Sequence, residues 1–123
     1  MTVVRVLLVD DQAPFLRAMT SVVEETAGFE VVGEAFSGEE SILAAAELMP
    51  DLVLMDVNLP GMDGLEATRR MLARQSPPAV LLLSTHDEDA GAHFVAECGA
   101  VAYVTKSAFG PDRLRGAWRA AFG

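Results

Sequence analysis

Cysteine and lysine each occur only once in this chain of 123 residues, as Cys98 and Lys106. A single cysteine cannot form an intramolecular disulfide, and it excludes zinc sites that are built from several cysteines. Cys98 lies near the predicted end of a helix. We expect it to be a small buried hydrophobic side chain rather than a redox centre.

Long hydrophobic runs are also missing from the sequence. The N-terminal apolar run, Val3 to Val9, is interrupted by Arg5, and it is too short to cross a membrane. No small-residue cleavage site follows it, as a secretory signal would require. We therefore expect a cytoplasmic protein of one domain that makes no membrane contact.

Positive charge is scarce, since nine basic residues stand against 18 acidic ones and the formal net charge is −9. Proteins that bind nucleic acids neutralise phosphates with Lys and Arg. The charge balance therefore argues against direct nucleic-acid binding by this domain, but it is compatible with a basic protein partner. The sequence also lacks a Gly-rich phosphate loop, a dinucleotide fingerprint and a Gly-x-Ser-x-Gly motif, which argues against nucleotide-binding proteins and serine hydrolases.

The sequence does contain a regular alternation of β-rich runs and helical patterns. Four of the five β-rich runs are nearly unbroken apolar stretches, which are typical of parallel strands covered on both faces. The second run carries Glu30, Gly33 and Glu34, a mixture that favours an edge strand. The predicted strands are Val3–Val9, Phe29–Ala35, Leu52–Met55, Val80–Leu83 and Val101–Val104.

A helical spacing of apolar residues follows each of these runs. The five helices are predicted to begin near Pro14, Gly38, Gly64, Asp87 and Pro111. Gly99 is expected to end the fourth helix. The alternation of strands and helices predicts an α/β fold of the doubly wound (βα)5 type, with a parallel sheet and helices on both faces.

Polar residues stand where the predicted strands end. In an open parallel sheet, ligands bind beyond the carboxyl ends of the strands. Each residue has an ordinary explanation, such as a helix cap for Asp11 or solvated surface for Lys106, but their joint placement favours a functional site. The residues at this edge are Asp10, Asp11, Asp56, Ser84, Thr85 and Lys106.

These groups suit phosphoryl transfer. Three carboxylates without a nearby set of His or Cys ligands favour a hard cation, and Mg²⁺ is the usual choice beside phosphate. A carboxylate such as Asp56 can then attack phosphorus and form an aspartyl phosphate. The ammonium group of Lys106 and the hydroxyl of Ser84 would stabilise the charge on the phosphoryl oxygens.

Four segments resemble the signatures of response-regulator receiver domains, in order and across the whole chain: "VLLVDDQ", "DLVLMDVNLPGMDG", "VLLLSTHDED" and "GAVAYVTKS". The last two are similar to receivers of the NarL/LuxR type. The resemblance implies a CheY-like, flavodoxin-like sheet in the order 2-1-3-4-5, one receiver domain over residues 1–123 and no output domain in this chain. Ser107 replaces the proline that many receivers have after the lysine, which leaves the geometry of that peptide bond open.

The resemblance also implies individual roles. Asp56 would be the phosphoacceptor, and Asp10 and Asp11 would hold Mg²⁺ together with Asp56. The residues with supporting roles are Asn58, whose backbone carbonyl would add a metal ligand; Ser84, Thr85 and Lys106, which would contact the phosphoryl group; Tyr103, the aromatic switch; and His86 and Asn58, which would tune hydrolysis.

The implied partner is a sensor histidine kinase, and the domain would catalyse only its own Mg²⁺-dependent phosphorylation and dephosphorylation. Phosphorylation would change the face formed by the fourth helix and the fifth strand and helix, with homodimer formation as a further expectation. A DNA-binding output domain would lie outside this chain. The alternatives are a stand-alone or phosphorylation-independent receiver that acts as an interaction module, and a flavodoxin-like ligand-binding module or small enzyme.

Overall fold

Five strands alternate with five helices in the computed structural model, which describes residues 2–122. The strands β1 to β5 are Val4–Val9, Phe29–Ala35, Leu52–Asp56, Ala79–Ser84 and Ala102–Thr105. The helices α1 to α5 are Ala13–Glu24, Gly38–Leu48, Gly64–Leu72, Glu88–Cys98 and Pro111–Phe122, with a 3₁₀ turn at Lys106–Ala108. The predicted elements are confirmed, with shifts of one or two residues at some ends.

The strands form one parallel sheet in the order β2-β1-β3-β4-β5. This order confirms the predicted topology, and it places β2 at an edge as Glu30 and Glu34 suggested. Two of the strand ends that differ from the sequence prediction carry residues of the predicted site. Strands β3 and β4 include Asp56 and Ser84 as their last residues, because the ladder between β3 and β4 continues to the pair Asp56–Leu83 and that between β4 and β5 continues to Ser84–Thr105.

The core has two layers, one on each face of the sheet. Side chains alternate along β1, so that Leu7 and Val9 belong to the layer that includes residues of α2, α3 and α4, while Val6 and Leu8 belong to the layer that includes residues of α1 and α5. Both faces are covered, which explains why the strands read as continuous apolar runs. Cys98 is buried in the first layer, as predicted, and burial raises the pKa of its thiol.

Helix ends follow the predicted chemistry. The carboxylate of Asp87 accepts a hydrogen bond from the amide of Ala90 at the start of α4, and Gly99 ends this helix in the left-handed conformation with φ of 86°. The carboxylate of Asp63 caps α3 in the same way. Among the described residues, no helix combines the length and the hydrophobicity needed to cross a membrane.

Candidate functional site

Three carboxylates meet at the carboxyl edge of the sheet. Neighbouring strands β1 and β3 pair Val9 with Met55. The residues that follow these two in the chain, Asp10 and Asp56, therefore also lie side by side. One carboxylate oxygen from each of Asp10, Asp11 and Asp56 lies within 4.8 Å of the others. Asp10 and Asp56 are buried and Asp11 is exposed. The cluster is therefore open to solvent on one side only.

Lys106 bridges two of these carboxylates. Its Nζ lies 2.8 Å from Oδ2 of Asp10 and 3.5 Å from Oδ2 of Asp56. The same Nζ stands 4.3 Å from the centre of the Phe15 ring, a distance at which the ring face attracts a cation. Phe15 lies in the first turn of α1 and Lys106 in the 3₁₀ turn after β5, so the sequence alone did not show this contact.

Backbone groups fix the orientation of the buried acids. The amide of Gln12 donates to Oδ1 of Asp10 at 2.8 Å, and the amide of Asn58 donates to Oδ1 of Asp56 at 3.1 Å. Helix α3 begins directly against this loop, since a Cβ at Gly64 would overlap the carbonyl oxygen of Asp56. Only glycine permits this approach of the α3 terminus to the acceptor strand.

The surroundings of Asp56 disfavour its charged form. Burial, followed by the charge of Asp10, raises the pKa of Asp56 to about 6, although Lys106 and the amide of Asn58 act in the opposite direction. A divalent cation among the three carboxylates would remove the repulsion that Lys106 alone does not offset. Because the donor atoms are all oxygens, the residues present fit a hard cation such as Mg²⁺.

An open cleft borders the exposed member of the carboxylate cluster, Asp11. Its walls come from the loops after β1, β3 and β4, which is where the strand-end rule predicted a ligand. The lining residues include Asp11, Asn58, Pro60, His86 and Phe94.

Ser84 lies at the end of β4 with its side chain fully buried. Its Oγ lies 3.1 Å from Nδ2 of Asn58, 2.8 Å from Nδ1 of His86 and 3.2 Å from the backbone nitrogen of His86. The sequence placed Asn58, Ser84 and His86 at one edge but did not show that they form a hydrogen-bonded cluster. Thr85, between Ser84 and His86, is exposed.

Tyr103 does not belong to the carboxylate cluster and instead contacts His86 and residues of α4. Its hydroxyl donates to the carbonyl of His86 at 2.5 Å, and its ring contacts Gly91 and lies 5.8 Å from the Phe94 ring. Burial raises the pKa of the Tyr103 hydroxyl. The peptide bond between Lys106 and Ser107 is trans, like every other described peptide bond, which answers the question that Ser107 raised.

Comparison with known proteins links this site to one family. The sequence model of the response regulator receiver domain matches residues 6–119. Response regulator GacA of Pseudomonas viridiflava is 43% identical over 105 residues, which are 85% of this chain and 49% of that protein. Transcriptional regulatory protein LiaR of Bacillus subtilis (strain 168) is 38% identical over 104 residues, with the same shares. The chain therefore spans about half the length of these curated relatives.

Solved structures agree with the sequence comparison. A two-component response regulator of the LuxR family from Aurantimonas sp. SI85-9A1 superposes with a TM-score of 0.86 at 35% identity, covering 97% of this chain and 84% of that one. The signal receiver domain of the putative response regulator NarL from Mycobacterium tuberculosis gives a TM-score of 0.86 at 28% identity, covering 100% and 99%. The fold of this chain is thus a known architecture.

Proposed function

The chain belongs to the response regulator receiver family, and from that premise we propose that it accepts a phosphoryl group on Asp56 from a sensor histidine kinase. The observation that carries the proposal is the surroundings of Asp56. Its buried carboxylate ends β3 within reach of two further carboxylates, and the Nζ of Lys106 lies 3.5 Å away. This arrangement gives a nucleophile, a cation site and a fixed positive charge in one place.

In the transfer step, a carboxylate oxygen of Asp56 attacks the phosphorus of the donor phosphohistidine. The new P–O bond replaces the P–N bond, and the imidazole leaves with the electron pair of that bond and takes up a proton. Lys106 would hold the phosphoryl oxygens, which carry the spread charge of the transition state. Asp10, Asp11, Asp56 and the backbone carbonyl of Asn58 would hold Mg²⁺, which when bound supplies further charge neutralisation.

The aspartyl phosphate would act as a switch rather than as an enzyme intermediate that releases a product. A phosphoryl group adds about −1.5 to −2 charges and offers acceptors to the hydroxyl of Ser84 and to the neighbouring Thr85. The expected response is a change at Tyr103 and on the face formed by α4, β5 and α5, followed by homodimer formation. Asn58 and His86 border the cleft and would tune hydrolysis.

The output would lie outside the residues described, in keeping with relatives about twice as long. A receiver domain over residues 1–123 would then control a DNA-binding domain in the cytoplasm, as the name of LiaR, a transcriptional regulatory protein, suggests for that relative. The receiver itself carries a net charge of −9, which favours contact with proteins rather than with nucleic acid.

The test is incubation with phosphoramidate, with Mg²⁺ or with EDTA, followed by intact mass measurement. We expect one base-labile phosphoryl group per chain with Mg²⁺ and almost none with EDTA. Asp56→Asn should abolish the gain, and Glu97→Gln, a change of an exposed acid on α4, should leave it unaltered. Equal phosphorylation of wild type and Asp56→Asn would overturn the proposal.

A further inference from the structure

The Ser84 hydroxyl lies among several hydrogen-bonding groups. A serine hydroxyl has one proton to donate and two lone pairs that accept. The Nδ2 group of Asn58 and the backbone N–H of His86 are donors only, and both lie within hydrogen-bond distance of Ser84 Oγ, at 3.1 and 3.2 Å. These donors occupy the lone pairs of Oγ, and the nearest remaining neighbour of the Ser84 hydroxyl is Nδ1 of His86, at 2.8 Å.

The same set of hydrogen-bond neighbours bears on which ring nitrogen of His86 carries the proton. If Nδ1 of His86 accepts the Ser84 proton, the neutral ring carries its own proton on Nε2. The amide nitrogen of Asn58 also faces Nδ1, at 3.4 Å, and an N–H group can approach only an unprotonated ring nitrogen favourably. An edge-on contact with Phe94, with ring centres 5.6 Å apart and planes at 83°, holds the imidazole in this orientation.

We propose that His86 is a latch that binds the Ser84 hydroxyl proton until a phosphoryl group on Asp56 competes for it. The inference rests on the proposed function, because it needs a phosphoryl group on Asp56. His86 acts through Ser84 and is a positioning residue, without contact to the reacting atoms.

The backbone of His86 gives the latch a second connection. The His86 carbonyl accepts the hydrogen bond from the Tyr103 hydroxyl, so this one residue binds Ser84 through its side chain and Tyr103 through its backbone. Release of the imidazole frees the loop that carries this carbonyl. The latch therefore links the hydroxyl that meets the phosphoryl group to the ring on β5.

The first experiment reads the tautomer directly and does not depend on phosphorylation. Long-range ¹H–¹⁵N correlation spectra of the whole chain, recorded at alkaline pH where imidazole is neutral, distinguish Nδ1 from Nε2. We expect an unprotonated Nδ1 for His86 in the wild type and a change in the ¹⁵N shift of this Nδ1 in Ser84→Ala, where the hydroxyl donor is lost. A proton on His86 Nδ1 in the wild type would overturn the latch.

The second experiment measures competition, with beryllofluoride plus Mg²⁺ as the probe that mimics the phosphoryl group. His86→Phe keeps a ring against Phe94 but removes the acceptor. We expect it to bind beryllofluoride more tightly by roughly twofold to tenfold, the equilibrium equivalent of one hydrogen bond. His86→Asn restores an acceptor near the position of Nδ1 and should return the affinity to the wild-type value.

The Ser84→Ala background provides the decisive control. The latch acts only through the Ser84 hydroxyl, so His86→Phe should leave the affinity unchanged when Ser84 is already alanine. Equal affinities of wild type and His86→Phe would contradict the latch, as would the same tightening in both backgrounds. If the wild type bound no beryllofluoride, the proposed function would be contradicted, and with it the competition between His86 and the phosphoryl group. The tautomer measurement would still test the hydrogen bond between Ser84 and His86.

Discussion

The ring of Tyr103 on β5 rests directly on the backbone of Gly91 in α4. A Cβ built at Gly91 would lie 2.5 Å from Cγ and 2.8 Å from Cε2 of Tyr103, and it would be closer still to Cδ2. No side chain other than hydrogen fits between these two elements. The position of the aromatic ring is therefore set by a glycine on the neighbouring helix.

Gly91→Ala should displace the Tyr103 ring and break the hydrogen bond of its hydroxyl to the His86 carbonyl. The overlap is with a whole ring, so we expect a net loss of about 1–3 kcal/mol in the free energy of unfolding. Urea denaturation gives this value, and amide shifts of Tyr103 and His86 report the displacement.

Gly116→Ala in α5 is the matched control for this substitution. A Cβ at Gly116 meets nothing within 4 Å, so alanine there should stabilise the protein by about 0.5–1 kcal/mol through helix propensity. If both substitutions stabilised the protein equally, the packing of Tyr103 on Gly91 would have no energetic consequence.

Without a metal ion, the protein should lose stability as the pH rises from about 4 to above 6. Burial, followed by the charge of Asp10, raises the pKa of Asp56 from its usual 3.8 to about 6. The folded state then binds this proton more tightly than the unfolded chain, so the stabilisation is complete below the unfolded pKa and disappears as the pH passes the folded pKa. The expected loss is on the order of 2–3 kcal/mol, at about 1.4 kcal/mol per pKa unit.

Urea unfolding between pH 4 and 7 in EDTA measures this dependence, and Asp56→Asn is its control. The amide does not titrate, so the variant should show a flatter profile than the wild type over the same range. The prediction would be contradicted if the free energy of unfolding of the wild type did not fall between pH 4 and 7 and its profile matched that of Asp56→Asn. That result would mean that the charged form of Asp56 does not destabilise the folded state.

Removal of the Lys106 charge should destabilise the metal-free protein more than removal of an exposed arginine. Lys106→Met leaves the buried Asp10 carboxylate without its 2.8 Å partner, and breaking a buried pair costs about 3–5 kcal/mol. Arg113→Met removes the exposed 3.7 Å contact with Glu88 and should change the unfolding free energy by less than about 1 kcal/mol. Equal losses in the two variants would show that the buried pair is not energetically distinct.

Asp11→Ala should weaken Mg²⁺ binding and slow phosphorylation, because it removes one oxygen donor from the cluster. The same substitution should leave the metal-free fold intact, since Asp11 is exposed and its removal relieves repulsion among three carboxylates. Isothermal titration with Mg²⁺ compares Asp11→Ala with Glu97→Gln as the control acid. Unchanged Mg²⁺ affinity in Asp11→Ala would argue against a cation held by these carboxylates.

The fold could be predicted from the sequence because its strands are continuous apolar runs and its helices have clear periodicity. The carboxylates could be located because parallel strands bring their carboxyl ends to one edge, which needs no side-chain detail. Contacts between distant segments were not accessible in this way. Nothing in the sequence indicated that Gly91 meets Tyr103 or that Phe15 meets Lys106, because these residues are far apart in the chain or in different elements and only packing brings them together.

The identity of the phosphorylated residue is the central claim, and it can be mapped chemically. Borohydride reduction of the protein phosphorylated with phosphoramidate and Mg²⁺ converts an aspartyl phosphate to homoserine, which peptide mass spectrometry then locates. We expect homoserine at position 56 and at no other aspartate. Homoserine at position 10 or 11 with aspartate retained at position 56 would contradict the account.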